Sequence, residues 1–265
     1  MAIQSHNLKA AATWGSGGGA YDKVSETIAD SIEHVLNRLD IQPGERVLDL
    51  ATGTGWTARR IAQKGARVLG VDIGDGVIEA ARRLAAQANL EISFLVGDAE
   101  GSDLPSGAFD VITSTCGVMF ASRPEAVAAE LARLCRKGGR IGLTTWPPTS
   151  TLAAMFQMMK PYMPPAPTPA PPSPFEWGRE ERVRQLLGKD FDLSFETGTT
   201  VLRMPSGEAV WSVFSEGYGP TKTLYQNTSR KDELRRDFIA FHEAHRTPLG
   251  IAMPRDYLVV VGTRR

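Results

Sequence analysis

Short apolar runs alternate along this chain with segments whose apolar residues recur every three to four positions, the two periods of buried strand and amphipathic helix. Residues 46–50, 67–71, 91–96, 110–114 and 140–146 read as strands. Residues 56–64, 76–88 and 122–137 read as the helices between them, the first closed by Gly65. Ser122-Arg-Pro-Glu125 offers a capping box with Pro124 in the first turn. Upstream, Val24, Ile28, Ile32, Val35, Leu36 and Leu39 predict one helix over 21–39. Alternation of this kind implies a parallel sheet with right-handed crossovers, a doubly wound α/β fold.

The ends of the chain are less regular. Residues 1–20 finish in Trp14-Gly-Ser-Gly-Gly-Gly19, too glycine-rich to predict regular structure, so a segment mobile without ligand is expected. Eight of the fourteen residues in 161–174 are proline, which excludes a sheet strand there. Leu152, Met155, Phe156, Met158, Met159 and Met163 precede that run, and a Pro-rich cap adapting to an apolar ligand is preferred to a plain linker. Residues 180–187 predict a short helix, 191–204 an extended stretch, 206–245 helix broken near Gly217-Tyr-Gly-Pro220, and 256–263 a valine-rich strand. Four parts are expected: 1–44 covering a ligand site, a core at 45–146, a cap or lid at 147–190, and 191–265 completing the sheet.

Composition narrows the function classes. The 265 residues are 42% hydrophobic, enough for one large domain with a cap, and 30 basic residues balance 30 acidic ones. With no basic run, neither nucleic acid nor an anionic membrane is an expected partner. Two cysteines, Cys116 and Cys135, without metal-type spacing predict neither a disulfide scaffold nor a metal site. No signal-type core or long apolar stretch stands out, so a soluble cytoplasmic protein is expected.

The chemistry concentrates in Val-Leu-Asp-Leu-Ala-Thr-Gly-Thr-Gly-Trp-Thr-Ala, residues 47–58. A strand, a loop with bare backbone at Gly53 and Gly55, and a helix start near Trp56 aim unpaired N–H groups across the strand end. Gly53, Gly55 and Ala58 also fit the dinucleotide pattern G-x-G-x-x-A. Asp49, however, puts a carboxylate where a diphosphate would be repelled and a sulfonium or ammonium attracted. A cationic ligand with an adenosine, S-adenosylmethionine, fits better than NAD. Asp72, ending the second strand, can accept from both hydroxyls of a ribose, and Asp98 with the Ala99 N–H can meet the amine and a ring nitrogen of adenine.

Asp-Leu-Ala-Thr-Gly-Thr-Gly resembles motif I of the class I S-adenosylmethionine-dependent methyltransferases, in the letters of the ubiquinone/menaquinone-biosynthesis type. Val71-Asp72-Ile73, Gly97-Asp98-Ala99-Glu100, Phe109-Asp110-Val111-Ile112 and Lys137-Gly138-Gly139-Arg140 extend the resemblance, in order, over residues 45 to 146. It implies a Rossmann-like, mostly parallel seven-stranded sheet whose last strand runs antiparallel beside the fifth. It also implies a cofactor site of Asp49, Ala51, Thr52, Gly53, Thr54, Gly55, Asp72, Ile73, Asp98, Ala99 and Thr115. There Thr54 would donate to the methionine carboxylate, and Tyr21 would close over that end. Ala51 stands where many family members carry a third glycine.

The acceptor is less legible. Trp14, Met119, Phe120, Trp146, Phe156, Tyr218 and Tyr225 are the candidate lining, suited to a flat or apolar small molecule such as a quinone or phenol. C-, O- and N-methylation stay open, and no catalytic residue is assigned. Cys116 reads as an inert buried thiol rather than a nucleophile. Among His6, His34, His242 and His245, solvated or structural roles are expected, with His242 or His245 the alternative general base. An NAD(P)-dependent oxidoreductase, or a binding protein that keeps the cofactor without turnover, are the competing readings. The first leaves Asp49 and Asp98-Ala99 unexplained.

Overall fold

A computed structural model describes residues 2–165 and 170–265. Three helices open the chain: α1 (Leu8–Gly15), α2 (Tyr21–Glu26) and α3 (Ala29–Leu39). Alternation then runs through β1 (Arg46–Leu50), α4 (Trp56–Ala62), β2 (Arg67–Asp72), α5 (Asp75–Gln87), β3 (Ser93–Val96), β4 (Phe109–Thr115), α6 (Pro124–Leu134) and β5 (Cys135–Thr145). After α7 (Thr151–Met159) and α8 (Glu180–Leu187) come β6 (Phe191–Met204), α9 (Gly207–Gly217), α10 (Gly219–Asn227) and α11 (Lys231–Glu243). A two-residue β7 (Arg246–Thr247) and β8 (Gly250–Arg264) end the chain.

One sheet, ordered β3-β2-β1-β4-β5-β8-β6, carries the fold, with β7 added beside β8. β1 to β5 pair in parallel, and β8 inserts antiparallel between β5 and β6, as the family resemblance implies. The apolar runs are the core: Val47, Leu48, Val111, Ile112, Ile141 and Leu143 are buried, and α3 covers one face with Ile32, Val35, Leu36 and Leu39. β8 is longer than its valine run because residues before Leu258 pair with β6 but not β5. Pro254, which has no N–H to donate, is tolerated in that singly paired stretch.

Four local expectations are corrected. The helix over 21–39 is two helices, because Ile28 leaves helical geometry at φ −124° and ψ 15°. The glycine-rich N-terminus is helical, α1 followed by a 3-10 turn at Gly18–Ala20. Its glycines give close backbone approach instead of disorder: a Cβ on Gly74 would fall 2.7 Å from Gly15 N, so α1 sits directly on the start of α5. The helix expected to reach 137 ends at Leu134, and Cys135 already belongs to β5. No capping box forms at Ser122; the N-cap of α6 is Arg123, without a side-chain cap. Its N–H instead donates to Glu100 Oε1 at 2.9 Å.

Candidate functional site

β1 has β2 on one side and β4 on the other, so the chain leaves it in opposite directions and opens a crevice beyond the strand ends. A cavity occupies that crevice. Its floor is Leu50–Gly53 after β1, Asp72 and Ile73 after β2, Gly97–Ala99 after β3, and Thr115–Val118 after β4. Its roof is N-terminal: Asn7, Ala10, Trp14, Tyr21, Ser25, Ile28 and Ile32. Phe120 and Ala121 complete one end, and Trp56, Thr57 and Val77 contribute from the helices behind the loops.

The glycine loop is held from below. Asp49 is buried under it, its carboxylate accepting from Thr52 Oγ1 at 2.5 Å and Thr113 Oγ1 at 2.8 Å. Burial pushes this carboxyl up to about 6 despite both hydroxyls. Gly53 takes φ 56°, a left-handed conformation natural to glycine, and a Cβ there would meet the Tyr21 ring at 3.2 Å. Ala51 takes a similar φ of 58° without that freedom.

Asp72 is the best-placed polar group. Its Oδ2 accepts from Gly53 N at 2.8 Å and its Oδ1 from Gly74 N at 2.9 Å, and it lines the cavity. Two of about four lone-pair directions remain for a ligand. Burial raises its pKa, and the N–H bonds from Gly74 and Gly53 oppose that rise.

Asp98 faces the roof. It accepts from Gln4 N at 3.1 Å, from Asn7 Nδ2 at 3.2 and 3.0 Å, and from Glu100 N at 3.0 Å. Glu100 extends this contact: His6 Nε2 lies 2.7 Å from its Oε2, and Ser122 Oγ donates to its Oε1 at 2.8 Å. Burial pushes Glu100 up, but the hydrogen bonds from His6, Ser122 and Arg123 outweigh it and hold the carboxyl below its ordinary value. Glu100, the last residue of the Gly97-Asp98-Ala99-Glu100 motif, is read from sequence as solvated and is instead buried; Asn7 is not singled out by sequence, because pairing of an N-terminal turn with the loop after β3 has no local signal.

Part of the wall is aromatic. Trp14 packs at 5.0 Å from Phe120 and 5.7 Å from Tyr218, and Tyr21 stacks on Tyr218 at 6.3 Å. Phe156 backs this cluster, 5.9 Å from Phe120 and 6.4 Å from Tyr218. Among the described residues neither Tyr21 nor Tyr218 hydrogen-bonds through its hydroxyl, and burial drives both phenols upward. Cys116 also lines the cavity, at φ 54°, its thiol 3.3 Å from Thr144 Oγ1 and pushed up to about 12 by burial.

Several expected contacts fall elsewhere. Thr54 is wholly buried and its hydroxyl donates to Asp22 at 2.7 Å, so that hydroxyl is not free for a ligand carboxylate. Asp49 and Gly55 lie behind the lining. Of the aromatic and methionine candidates, Trp14 and Phe120 line the cavity, while Tyr218 and Phe156 form the second layer. Met119 is core, Trp146 packs on Tyr257 at 6.4 Å, and Tyr225 packs on Trp211 at 4.9 Å. The Pro-rich stretch contributes no lining among the described residues, and its residues 166–169 lie outside them. Met155 and Met159 are buried core, not an adaptable ligand surface. His34 is engaged rather than solvated, 3.0 Å from Tyr257 Oη and 3.1 Å from Glu196 Oε2. Among the described residues no cluster fit for a metal ion occurs, and no helix is long and apolar enough to cross a membrane.

A family profile described as "Methyltransferase domain" matches residues 47–139, the span from β1 into β5. The uncharacterized protein Rv1405c of Mycobacterium tuberculosis is 33% identical over 255 residues, covering 93% of this chain and 92% of that protein. The demethylmenaquinone methyltransferase of Beutenbergia cavernae is 29% identical over 143 residues, 51% of this chain and 58% of its own length. Among solved structures, YcgJ from Bacillus subtilis superposes with a TM-score of 0.62 at 18% identity, over 89% of this chain and 99% of that one. Phosphoethanolamine N-methyltransferase 2 of Haemonchus contortus, in complex with S-adenosyl-L-methionine, gives 0.56 at 15%, over 89% and 52%. Both share the fold.

Proposed function

The chain belongs to the S-adenosylmethionine-dependent methyltransferases, and on that premise we propose that it methylates a small, flat, largely apolar organic molecule seated against Trp14 and Phe120. The observation that carries this reading is that one cavity combines the buried carboxylates of Asp72 and Asp98 with the aromatic rings of Trp14, Tyr21 and Phe120.

The polar lining suits the cofactor. A buried carboxylate with spare lone pairs at Asp72 matches a ribose diol, and the Gly53 backbone leaves room that a Cβ would take against Tyr21. The Ala99 N–H would meet the adenine edge, with Ile73 and Val77 apolar against its face, while Asp98, its lone pairs taken by Gln4, Asn7 and Glu100, fixes the loop there. Ala51, Thr52 and Thr115 would border the methionine end, with Thr54 and Gly55 fixing the loop from behind.

When bound, the cofactor supplies an activated methyl group on a sulfonium, which leaves as neutral thioether sulfur. The protein's part is alignment, exclusion of water and, where the nucleophile carries a proton, its removal. The roof from Asn7 to Ile32 excludes water. Tyr21, stacked on Tyr218, orients a flat acceptor toward the loop. Cys116 stays a neutral thiol at neutral pH and takes no part as nucleophile or base. The protein works as a soluble cytoplasmic enzyme in this reading.

The experiment is a transfer assay with methyl-tritiated S-adenosylmethionine against panels of phenols, quinols, carboxylic acids and amines. Phe120→Ala should lower turnover of any accepted compound about tenfold while leaving S-adenosylhomocysteine affinity within a factor of about two. Equal loss of both would move Phe120 into the cofactor site.

A further inference from the structure

The N-terminal roof is held in two different ways. From α1 on it is packed: a Cβ on Gly219 would fall 2.2 Å from the Thr13 carbonyl oxygen, Lys222 Nζ donates to the Ser16 carbonyl at 2.7 Å, and Gly15 rests on Gly74. These contacts pin the far end of α1 between α10 and α5. Residues 2–7 ahead of it form a strap that ends in a 3-10 turn at Ser5–Asn7, and Asn7 is its one buried residue. Ile3, the one large apolar side chain of the strap, takes no part in the apolar core.

What holds the strap is polar, and it converges on one loop. Gln4 N and Asn7 Nδ2 donate to Asp98, and His6 Nε2 lies 2.7 Å from Glu100 Oε2. The Ser122 hydroxyl bridges Asn7 Oδ1 at 3.0 Å and Glu100 Oε1 at 2.8 Å. A segment tied down by hydrogen bonds, with little apolar burial of its own, opens locally while the rest of the fold stays intact. Asn7, Asp98 and Ala99 all line the cavity, so lifting the strap opens the wall at that corner. A roofed cavity admits a ligand only when some part of its roof moves.

His6 makes the fastening sensitive to pH. Imidazole is the side chain whose charge changes between about pH 5 and 8. Charged, His6 faces the Glu100 carboxylate as an ion pair; neutral, it keeps only a hydrogen bond. The Glu100 side chain is fully enclosed and held below the ordinary carboxyl range, so it stays an anion throughout that window. The other charged groups on the segments that meet His6 are Asp98, turned to Gln4 and Asn7, and the exposed Lys9 and Arg123. Arg123 reaches Glu100 through its backbone N–H, not its guanidinium. We propose that residues 2–7 are a gate over the Asp98 and Ala99 corner of the cavity, latched by His6 on Glu100 and by Gln4 and Asn7 on Asp98, and that the latch loosens when His6 loses its proton; this rests on the methyltransferase reading.

The test is stopped-flow binding of S-adenosylhomocysteine to the full-length protein, read by the fluorescence of Trp14 and Trp56 in the cavity wall. A loosened gate speeds entry and release together and leaves affinity unchanged, whereas loss of a ligand contact speeds release alone. From pH 6 to pH 8 both rate constants should rise about threefold. His6→Ala should bring both at pH 6 to at least the pH 8 level and abolish the pH dependence, with affinity within a factor of about two. Gln4→Pro, which suits φ −64° and deletes the N–H to Asp98, should raise both about tenfold. Release that speeds alone in either variant, rates that neither variant changes, or a pH dependence that persists in His6→Ala each overturns the proposal. Should Gln4→Pro not fold, His6→Ala decides alone. Failure of S-adenosylhomocysteine to bind the parent protein would instead strike the methyltransferase reading.

Discussion

The Gly53 N–H donates to Asp72 Oδ2 at 2.8 Å, so the carboxylate ending β2 holds the loop after β1 in shape while still facing the cavity. Asp72→Asn tests both duties. An amide puts a donor where Gly53 or Gly74 needs an acceptor, and a ribose hydroxyl loses one as well. S-adenosylhomocysteine affinity should fall roughly 5- to 150-fold, the equivalent of about 1–3 kcal/mol. Unchanged affinity in a titration would remove Asp72 from the site.

Ala51 carries a left-handed φ of 58° next to the loop it supports. Such a conformation costs a residue with a Cβ about 1–2 kcal/mol, and glycine very little. Ala51→Gly should therefore raise stability by up to about 1 kcal/mol, the extra freedom of the unfolded glycine offsetting part of the gain. Denaturant unfolding measures it, and a loss of stability would mean that the Ala51 methyl matters more for packing than for strain.

Cys116 and Cys135 have thiols pushed up to about 12 and about 11 by burial. At pH 8 the Cys116 thiolate fraction is on the order of one in ten thousand, about a thousandfold below that of a free cysteine. Iodoacetamide should leave both thiols intact for hours in the native protein and label both after unfolding. Rapid labelling of Cys116 alone would contradict the burial that sets its pKa.

His242 is fully buried among Phe214, Phe238 and Phe241, Nδ1 donating to the Phe238 carbonyl at 2.8 Å, and burial lowers its pKa to about 4. Below the unfolded value near 6.5 the unfolded chain takes up a proton that the native ring refuses. Stability is then lost as pH falls from 6.5 to 4, by up to about 3 kcal/mol. Asp49, raised to about 6, acts in the opposite direction, since its native carboxyl keeps its proton over pH 4 to 6. Comparing the parent with His242→Gln isolates the histidine: the variant should gain relative stability steadily as pH falls through that window. Parallel curves would contradict the buried neutral ring.

The sheet and glycine loop were legible because their signals are local: β1 carries the apolar run Val47 to Leu50, followed by Gly53 and Gly55, and no distant residue is needed to read it. The N-terminal roof was not. Glycine-rich sequence argues for disorder, but Gly15 and Gly74 touch through bare backbone, a tertiary contact that propensity does not contain. Ser122 and Glu125 have capping-box spacing, yet Ser122 is drawn to Asn7 and Glu100 across the fold. Arg255 falls just before the strand expected over 256–263, and only the register of β8 against β6 buries it beside Thr27. Residue type alone does not separate an aromatic at the cavity, Phe120, from one packed on Trp211, Tyr225.

The most direct measurement is calorimetric titration of the purified protein with S-adenosylmethionine, S-adenosylhomocysteine and NAD in turn. One-to-one binding of the two adenosyl ligands in the micromolar range, with no heat from NAD, is the expected result. Binding of NAD alone would contradict the account, because the Asp72 and Asp98 corner would then be serving a dinucleotide.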